Sequence, residues 1–335
     1  AVQDPQGILV RSAKLLDLEF NPGLLAIARA GVGVNNIPLD RCAAAGIPVF
    51  STPGANANAV KELVICAMLM GSRDIPGAIR WVREQAASGA DVSTVVEKGK
   101  SAFIGPELYK KTLGIIGLGA IGSIVANTAI SLGMDVYGYD PFLSVDTALR
   151  LDRHVHVVKD INDLYKRSNY ITMHIHYTEK TAHMIDASAI AAMKRGVRVI
   201  NLARGEIVDD EAMLTALDTG MVAAYITDFP NNRLLTAPHV IAMPHLGAST
   251  PESEQNCAAM AVDTLRDYLE SGNIRSSVNL PQRCPAAVRP AQERPRHAGK
   301  HHQSVWPGRR QRGKSEQQVP WGLRLYHGGP WQQGG

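Results

Sequence analysis

Residues 113–122 read LGIIGLGAIG, and the next apolar segment, Asp135 to Tyr139, ends against Asp140. Leu113, Ile115 and Ile116 form a short apolar run, and the glycines Gly117, Gly119 and Gly122 open straight into a helical pattern that stops at Gly133. Each glycine has a physical task in that setting. Gly117 permits a tight turn, Gly119 lets backbone approach a pyrophosphate, and Gly122 allows a helix to pack closely on a strand. The first helical residues, Ala120 and Ile121, present unpaired N–H groups to the phosphates. Asp140 follows about 20 residues on, where a carboxylate can hydrogen-bond an adenosine ribose hydroxyl. Pro141 and Phe142 come next, with no arginine beside them to hold a 2′-phosphate, so NAD is favoured over NADP.

Length and composition suit a two-domain enzyme with a sizeable core: 335 residues, 45% of them hydrophobic. The four cysteines, Cys42, Cys66, Cys257 and Cys284, lie far apart and have neither metal nor redox spacing, which points to reduced thiols and a cytoplasmic setting. The most apolar helical stretch, near Leu63 to Met70, is too short to span a bilayer, so no membrane partner is expected. The net charge of +4 hides a division. After Pro281, ten Lys and Arg face two Glu, which leaves the preceding residues at −4. Arg309, Arg310, Arg312 and Lys314 cluster in that basic tail, which also holds three of the four tryptophans and shows no helical or strand period. A nucleic-acid partner is not expected.

Along the chain, apolar segments alternate with helical patterns. Ile8 to Val10, Leu25 to Arg29 and Pro48 to Ser51 read as strands, and an amphipathic helix runs from about Ala59 to Ser72. A polar, partly helical stretch from Ile75 to Glu107 leads into the glycine turn. Strands are expected at Tyr170 to His174, Val197 to Ala203, Val222 to Thr227 and Val240 to Met243. Helices are expected at Ile161 to Arg167, Ser188 to Arg195, Asp210 to Thr219 and Pro251 to Ser271. This order predicts an α/β protein of two open parallel-sheet domains, with a Rossmann-type NAD domain inserted into a flavodoxin-like one. The expected boundaries are 1–76 and 249–281 for the outer domain, 77–248 for the NAD domain, and 282–335 for a disordered basic tail.

Three later segments narrow the reading: NLARGEIVD (Asn201 to Asp209), AAYITDFPNN (Ala223 to Asn232) and MPHLGAST (Met243 to Thr250). Spaced as they are after the glycine turn, they resemble the D-isomer-specific 2-hydroxyacid dehydrogenases. VNNIPLD (Val34 to Asp40), TPGANANAVKELV (Thr52 to Val64) and PHLGASTPESE resemble most the branch that oxidises 3-phosphoglycerate at the entry to serine synthesis. The likeness covers roughly residues 7 to 281. It implies hydride transfer from C2 of a small 2-hydroxy acid to NAD, and a homodimer or higher homo-oligomer packed through the linker helix with Trp81 and the segment to Phe103.

Matched residue by residue, the resemblance gives His245 the role of general base, for which an imidazole is suited because it titrates near neutrality. It gives Arg204 the clamp on the substrate carboxylate and the developing carbonyl oxygen, where a planar guanidinium offers paired donors. Leu202, Ala203, Asp228 and Ala248 would lie along the nicotinamide end. His174 would line the adenine edge; it alternates with His176 in one strand without a third ligand, so no metal site is expected. Arg11 and Lys14 in VRSAK, with Gly33 and Asn56, are the candidates for the rest of the substrate. At the position of the family's histidine-orienting glutamate stands Asn232, followed by Arg233. An amide can hydrogen-bond an imidazole but cannot support an imidazolium by charge, so weaker catalysis is expected unless another carboxylate, such as Asp228, substitutes in space.

The resemblance leaves other readings open. A glyoxylate or hydroxypyruvate reductase shares the same residues, and NADH-sensing corepressor-like binding proteins are built on the same scaffold. Two ends of the chain depart from the family. The family normally has a further strand and helix before Gly7, so an incomplete first domain is expected, and residues 317–334, back-translated and read one nucleotide over, can resemble the end of the family's regulatory domain. The tail from about Gln282 is therefore expected to be out of frame.

Overall fold

The structure, a computed structural model, describes residues 4–281 and 323–326. The first half of the chain forms β1 (Gly7–Val10), β2 (Ala26–Arg29), α1 (Leu39–Ala44), β3 (Val49–Phe50), α2 (Ala57–Arg73), α3 (Ile75–Ala87), α4 (Val92–Gly99), β4 (Thr112–Ile116), α5 (Ala120–Ser131), β5 (Asp135–Tyr139) and α6 (Val145–Ala148). There follow β6 (Val155–Val158), α7 (Ile161–Arg167), β7 (Tyr170–Met173), α8 (Ala187–Ala192), β8 (Val197–Asn201), α9 (Asp210–Asp218), β9 (Val222–Thr227), β10 (Val240–Ala242), α10 (Pro251–Ser271) and β11 (Leu323–Tyr326). They divide into two compact units. One is Gly54–Asn256; the other joins the residues up to Pro53 with those from Cys257 onward.

The Gly54–Asn256 unit is a seven-stranded, all-parallel sheet in the order β10-β9-β8-β7-β4-β5-β6. Its central strands are buried almost throughout: β7 at every position and β4 at all but its first. That is what a sheet covered on both faces requires. Val60, Val64, Ala67 and Met68 of α2 and Val125, Ala126 and Ala129 of α5 close one face over Leu113, Ile115 and Ile226. Leu164, Ile190, Met213 and Leu217, from α7, α8 and α9, close the other over Ile116, Ile171 and Val199. Asp160, Asp186 and Asp209 each accept a backbone N–H of the helix they precede, which fixes where α7, α8 and α9 begin. The chain order reverses between β4 and β7, and a parallel sheet opens a ligand crevice at such a point, beyond the strands' carboxyl ends.

One boundary needs correction. The expected first domain ran to residue 76, but α2 belongs with the nucleotide sheet. Val64, Ala67 and Met68 are fully buried there, and each Val or Met side chain so covered contributes roughly 1.5–3 kcal/mol. Polar bonds fix the same face: Ser72 Oγ and Tyr170 Oη lie 2.7 Å apart, and Arg198 Nε donates to the Gly71 carbonyl at 2.8 Å.

In the other unit, β11-β1-β2-β3 form a parallel sheet. Cys257, Ala261 and Leu265 make the buried stripe of α10, one residue in every four, and Gly7 of β1 leaves room for Leu265: a Cβ there would lie 3.1 Å from its Cδ2. Phe50 and Tyr268 pack with ring centroids 5.4 Å apart. Asn279 then ties the returning chain to β3's surroundings, accepting from Val49 N and donating to Ile47 O. The basic tail expected at 282–335 lies, apart from Leu323–Tyr326, outside the described residues; Leu323–Tyr326 pairs in parallel with Gly7–Val10. The row of N–H and C=O groups on the free side of β1 offers an extended segment its hydrogen bonds.

Candidate active site

At the end of β4 the chain turns through Gly117, whose φ of +90° suits glycine alone; a Cβ there would also stand 2.6 Å from the His174 carbonyl oxygen. Gly117 N donates to Tyr139 O, and Leu118 N donates to Asp140 Oδ2 at 2.9 Å, while Asp140 Oδ1 accepts from Phe142 N. Asp140 thus fixes the glycine turn against the end of β5 and keeps further acceptor capacity for a ribose hydroxyl. Gly119 is the N-cap of α5 and has no side chain to cap it; a Cβ built on it meets nothing within 4 Å. Free N–H groups of a helix start and an open space over a glycine are the cradle a pyrophosphate needs.

The ends of the strands on the other side of β4 carry the chemistry. Asn201, fully buried at the end of β8, donates from Nδ2 to Arg204 O at 2.8 Å and accepts from Ala203 N at 3.2 Å. It folds the LAR segment back over the strand end. Arg204 donates to Ala203 O, and its guanidinium stands 5.9 Å from the Phe229 ring centroid. It forms no ion pair with a described carboxylate, so donors remain for an anionic ligand. Phe229 lies 4.7 Å from the His245 ring on its other contact. Thr227 anchors this point: its Oγ1 accepts from Phe229 N and its carbonyl from Met243 N.

His245 is more than half exposed, at 57%, and its Nδ1 stands 3.0 Å from Oδ2 of Asp228, whose side chain is wholly buried. No donor among the described residues makes a well-aligned hydrogen bond to either Asp228 oxygen. A buried carboxylate in that condition is held at a cost that a ligand or a small turn of the imidazole can relieve.

The structure places Gly117, Gly119, Ala120, Ile121 and Gly122 after β4, Asp140 after β5 and His174 after β7, with the His174 carbonyl beside Gly117, and Leu202, Ala203, Arg204, Asp228 and His245 just beyond β8, β9 and β10 of the same sheet; Ala248 lies between β10 and α10. Asn56 is the N-cap of α2 in this unit, and its buried Oδ1 has no partner. Arg11, Lys14 and Gly33 belong to the other unit, Arg11 and Lys14 exposed and Gly33 half-buried. Asn232 sits exposed on the loop after β9, and the polar group at His245 Nδ1 is Asp228. Reading motifs passed over Asn201, Thr227 and Phe229. An asparagine closing an otherwise apolar strand, VRVIN, was the available signal for the first.

His174 follows β7; its Nε2 lies 3.2 Å from Thr172 Oγ1, and desolvation pulls its pKa down to about 4. The folded state therefore binds fewer protons than the unfolded one between pH 6.5 and 4, and stability present above that range is lost as pH falls through it. His174→Asn is expected to flatten this acid limb. Thermal unfolding midpoints across pH 4 to 7 check it; equal slopes in parent and variant would count against it.

Among the described residues no cluster of side chains is arranged to hold a metal ion, and no helix is long and apolar enough to cross a membrane. Residues 65–247 match the family model described as "D-isomer specific 2-hydroxyacid dehydrogenase, NAD binding domain". The chain is 37% identical to a D-3-phosphoglycerate dehydrogenase of Synechocystis sp. over 84% of its own length and 50% of the relative's. It is 35% identical to one of Methanocaldococcus jannaschii, over 84% and 53%. It thus spans about half the length of these curated relatives. A solved, NAD+-bound 3-phosphoglycerate dehydrogenase of Entamoeba histolytica is similar at 29% identity and a TM-score of 0.65, over 83% of this chain and 84% of that one.

Proposed function

Because the chain belongs to the D-isomer-specific 2-hydroxyacid dehydrogenase family, we propose that it catalyses the NAD-dependent oxidation of 3-phosphoglycerate to 3-phosphohydroxypyruvate. The observation that carries this reading is the placing of a guanidinium with no ion pair to a described carboxylate, Arg204, and an accessible imidazole, His245, on one aromatic ring at the strand ends of a dinucleotide sheet. The names of the curated relatives favour the phosphorylated acid among the family's substrates. The residues fit NAD: the open side of Gly119 would take the pyrophosphate, Asp140 the ribose, and the buried, unpartnered Asp228 carboxylate a donor from the nicotinamide end. When bound, NAD supplies the hydride acceptor.

The chain's own residues account for the rest. Arg204 holds the substrate carboxylate through paired donors and draws charge toward the oxygen that becomes a carbonyl. His245 takes the C2 hydroxyl proton as the hydride leaves. Following NADH fluorescence with 3-phosphoglycerate, and in reverse with hydroxypyruvate and glyoxylate, tests the proposal. Turnover of the phosphorylated acid supports it; preference for glyoxylate would make the chain a reductase, and tight NADH binding without turnover of any acid would leave a binding protein.

The same reading includes a homo-oligomer. In the arm from α3 to residue 104, Trp81 packs on Phe103 at 5.7 Å, but α4 buries no residue and α3 only Gly77. Ile75, Ile79 and Ile104 stay exposed, Ile104 at 80%. Apolar side chains grouped on such an arm favour a partner copy. Ile79→Asp combined with Ile104→Asp is expected to shift the protein to monomer in light scattering; an unchanged mass would reject this arm as the contact.

A further inference from the structure

We infer that Asp228, and not the residue at position 232, is the carboxylate that orients His245. The inference rests on the reading of His245 as the proton acceptor, and it names the residue through which that imidazole is positioned. Three observations converge. Asp228 Oδ2 lies 3.0 Å from His245 Nδ1. Asp228 is buried with both oxygens lacking an aligned donor, so the imidazole N–H is the group available to satisfy it. Asn232 is exposed on a loop whose polar bonds run elsewhere: Asn231 Nδ2 donates to Asp210 Oδ2 at 2.6 Å, and Arg233 pairs with Glu211.

The contact sets a tautomer. A carboxylate can only accept, so the nitrogen facing it carries the proton, and Nε2 is left with its lone pair for the substrate hydroxyl. When Nε2 takes that proton, the new positive charge is shared over a ring whose other nitrogen faces Asp228. The proton on Nδ1 stays where it is, and Asp228 is not itself protonated. The Phe229 ring, 4.7 Å from the imidazole, and Asp228, one residue beyond β9, limit how the imidazole can turn. Asp228 is thus a positioning residue held by the sheet, in a chain whose following loop carries an amide at the place where a carboxylate was expected.

The test combines kinetics with a readout that needs no turnover. Asp228→Asn keeps the shape and removes the acceptor-only partner; kcat is expected to fall by about 10²–10⁴-fold, with KM for the acid changed by less than about threefold. Asp228→Glu is expected to recover part of the loss. Retention of kcat within about threefold in Asp228→Asn, or restoration of its kcat by a second change, Asn232→Glu, would overturn the inference. Nitrogen-15 NMR of the ring, with His245→Gln to assign its signals, is expected to show the Nδ1–H form in the neutral parent. A predominant Nε2–H form would overturn the inference even if Asp228→Asn does not fold. The NMR arm stands if no acid is turned over, so failure of the proposed activity is told apart from failure of the positioning role.

Discussion

Replacing His245 by glutamine is expected to lower kcat by about 10²–10⁴-fold, the range that general acid–base catalysis supplies, while NADH is expected to bind within a few-fold of the parent. The separation follows from where the ring sits. It is 57% exposed, with Asp228 and the Phe229 ring as its contacts, so its loss removes a proton acceptor and little packing. Glutamine retains hydrogen-bonding capacity but cannot take a proton near neutral pH. Arg204 is expected to behave differently: in the proposed role its guanidinium engages an anionic group in ground and transition state, so Arg204→Lys is expected to raise KM as well as lower kcat. Steady-state kinetics with a direct NADH titration distinguish the two. A His245→Gln variant that kept a tenth of parent kcat would remove this imidazole from the chemistry.

The parts of the site that were legible in the sequence are those whose constraints are local. The glycine turn is one: Gly117 at φ +90°, and Asp140 bonded to Leu118 N, act within a single strand–helix–strand unit. The acid beside His245 could be named only as an alternative, Asp228, because its place is not set by a local constraint. Position 232 was reached by counting along a motif, whereas Asp228 meets His245 because β9 and β10 run parallel in register, Ala242 against Thr227. Residues just beyond both strands then lie side by side, and nothing in the spacing from 228 to 245 states that register. The amphipathic pattern of α2 likewise told which face is buried without telling which sheet covers it; Val64 and Met68 against Leu113 and Ile226 settle that. Strand β6, VHVV, was missed because it is an edge strand with two exposed residues and no strong apolar run. The α3–α4 arm reads as linker because its exposed isoleucines have no partner within the chain's own pattern.

The glycine turn separates two kinds of glycine requirement, and two alanine variants are expected to divide accordingly. A Cβ on Gly122 would lie 1.9 Å from the Gly117 carbonyl oxygen and 3.3 Å from Ile115 Cγ2. The nearer obstacle is backbone, which cannot rotate away, so Gly122→Ala must push α5 off β4. Overpacking of this kind costs about 1–3 kcal/mol, and it moves the helix N-terminus that would face the phosphates, so stability and NAD affinity fall together. Gly119→Ala meets nothing within 4 Å, and its φ of −68° is open to any residue. Its folded stability should stay within about 0.5 kcal/mol of the parent. What the added methyl occupies is the space over the α5 N-terminus, and there NAD affinity should fall about 10- to 100-fold, or about 1.4–2.8 kcal/mol. Thermal unfolding with and without NAD reads both quantities. A Gly119→Ala protein stabilised by NAD as much as the parent would mean that the pyrophosphate lies elsewhere, and a Gly122→Ala protein of unchanged stability would mean that the close contact of α5 with the turn is not what fixes the helix.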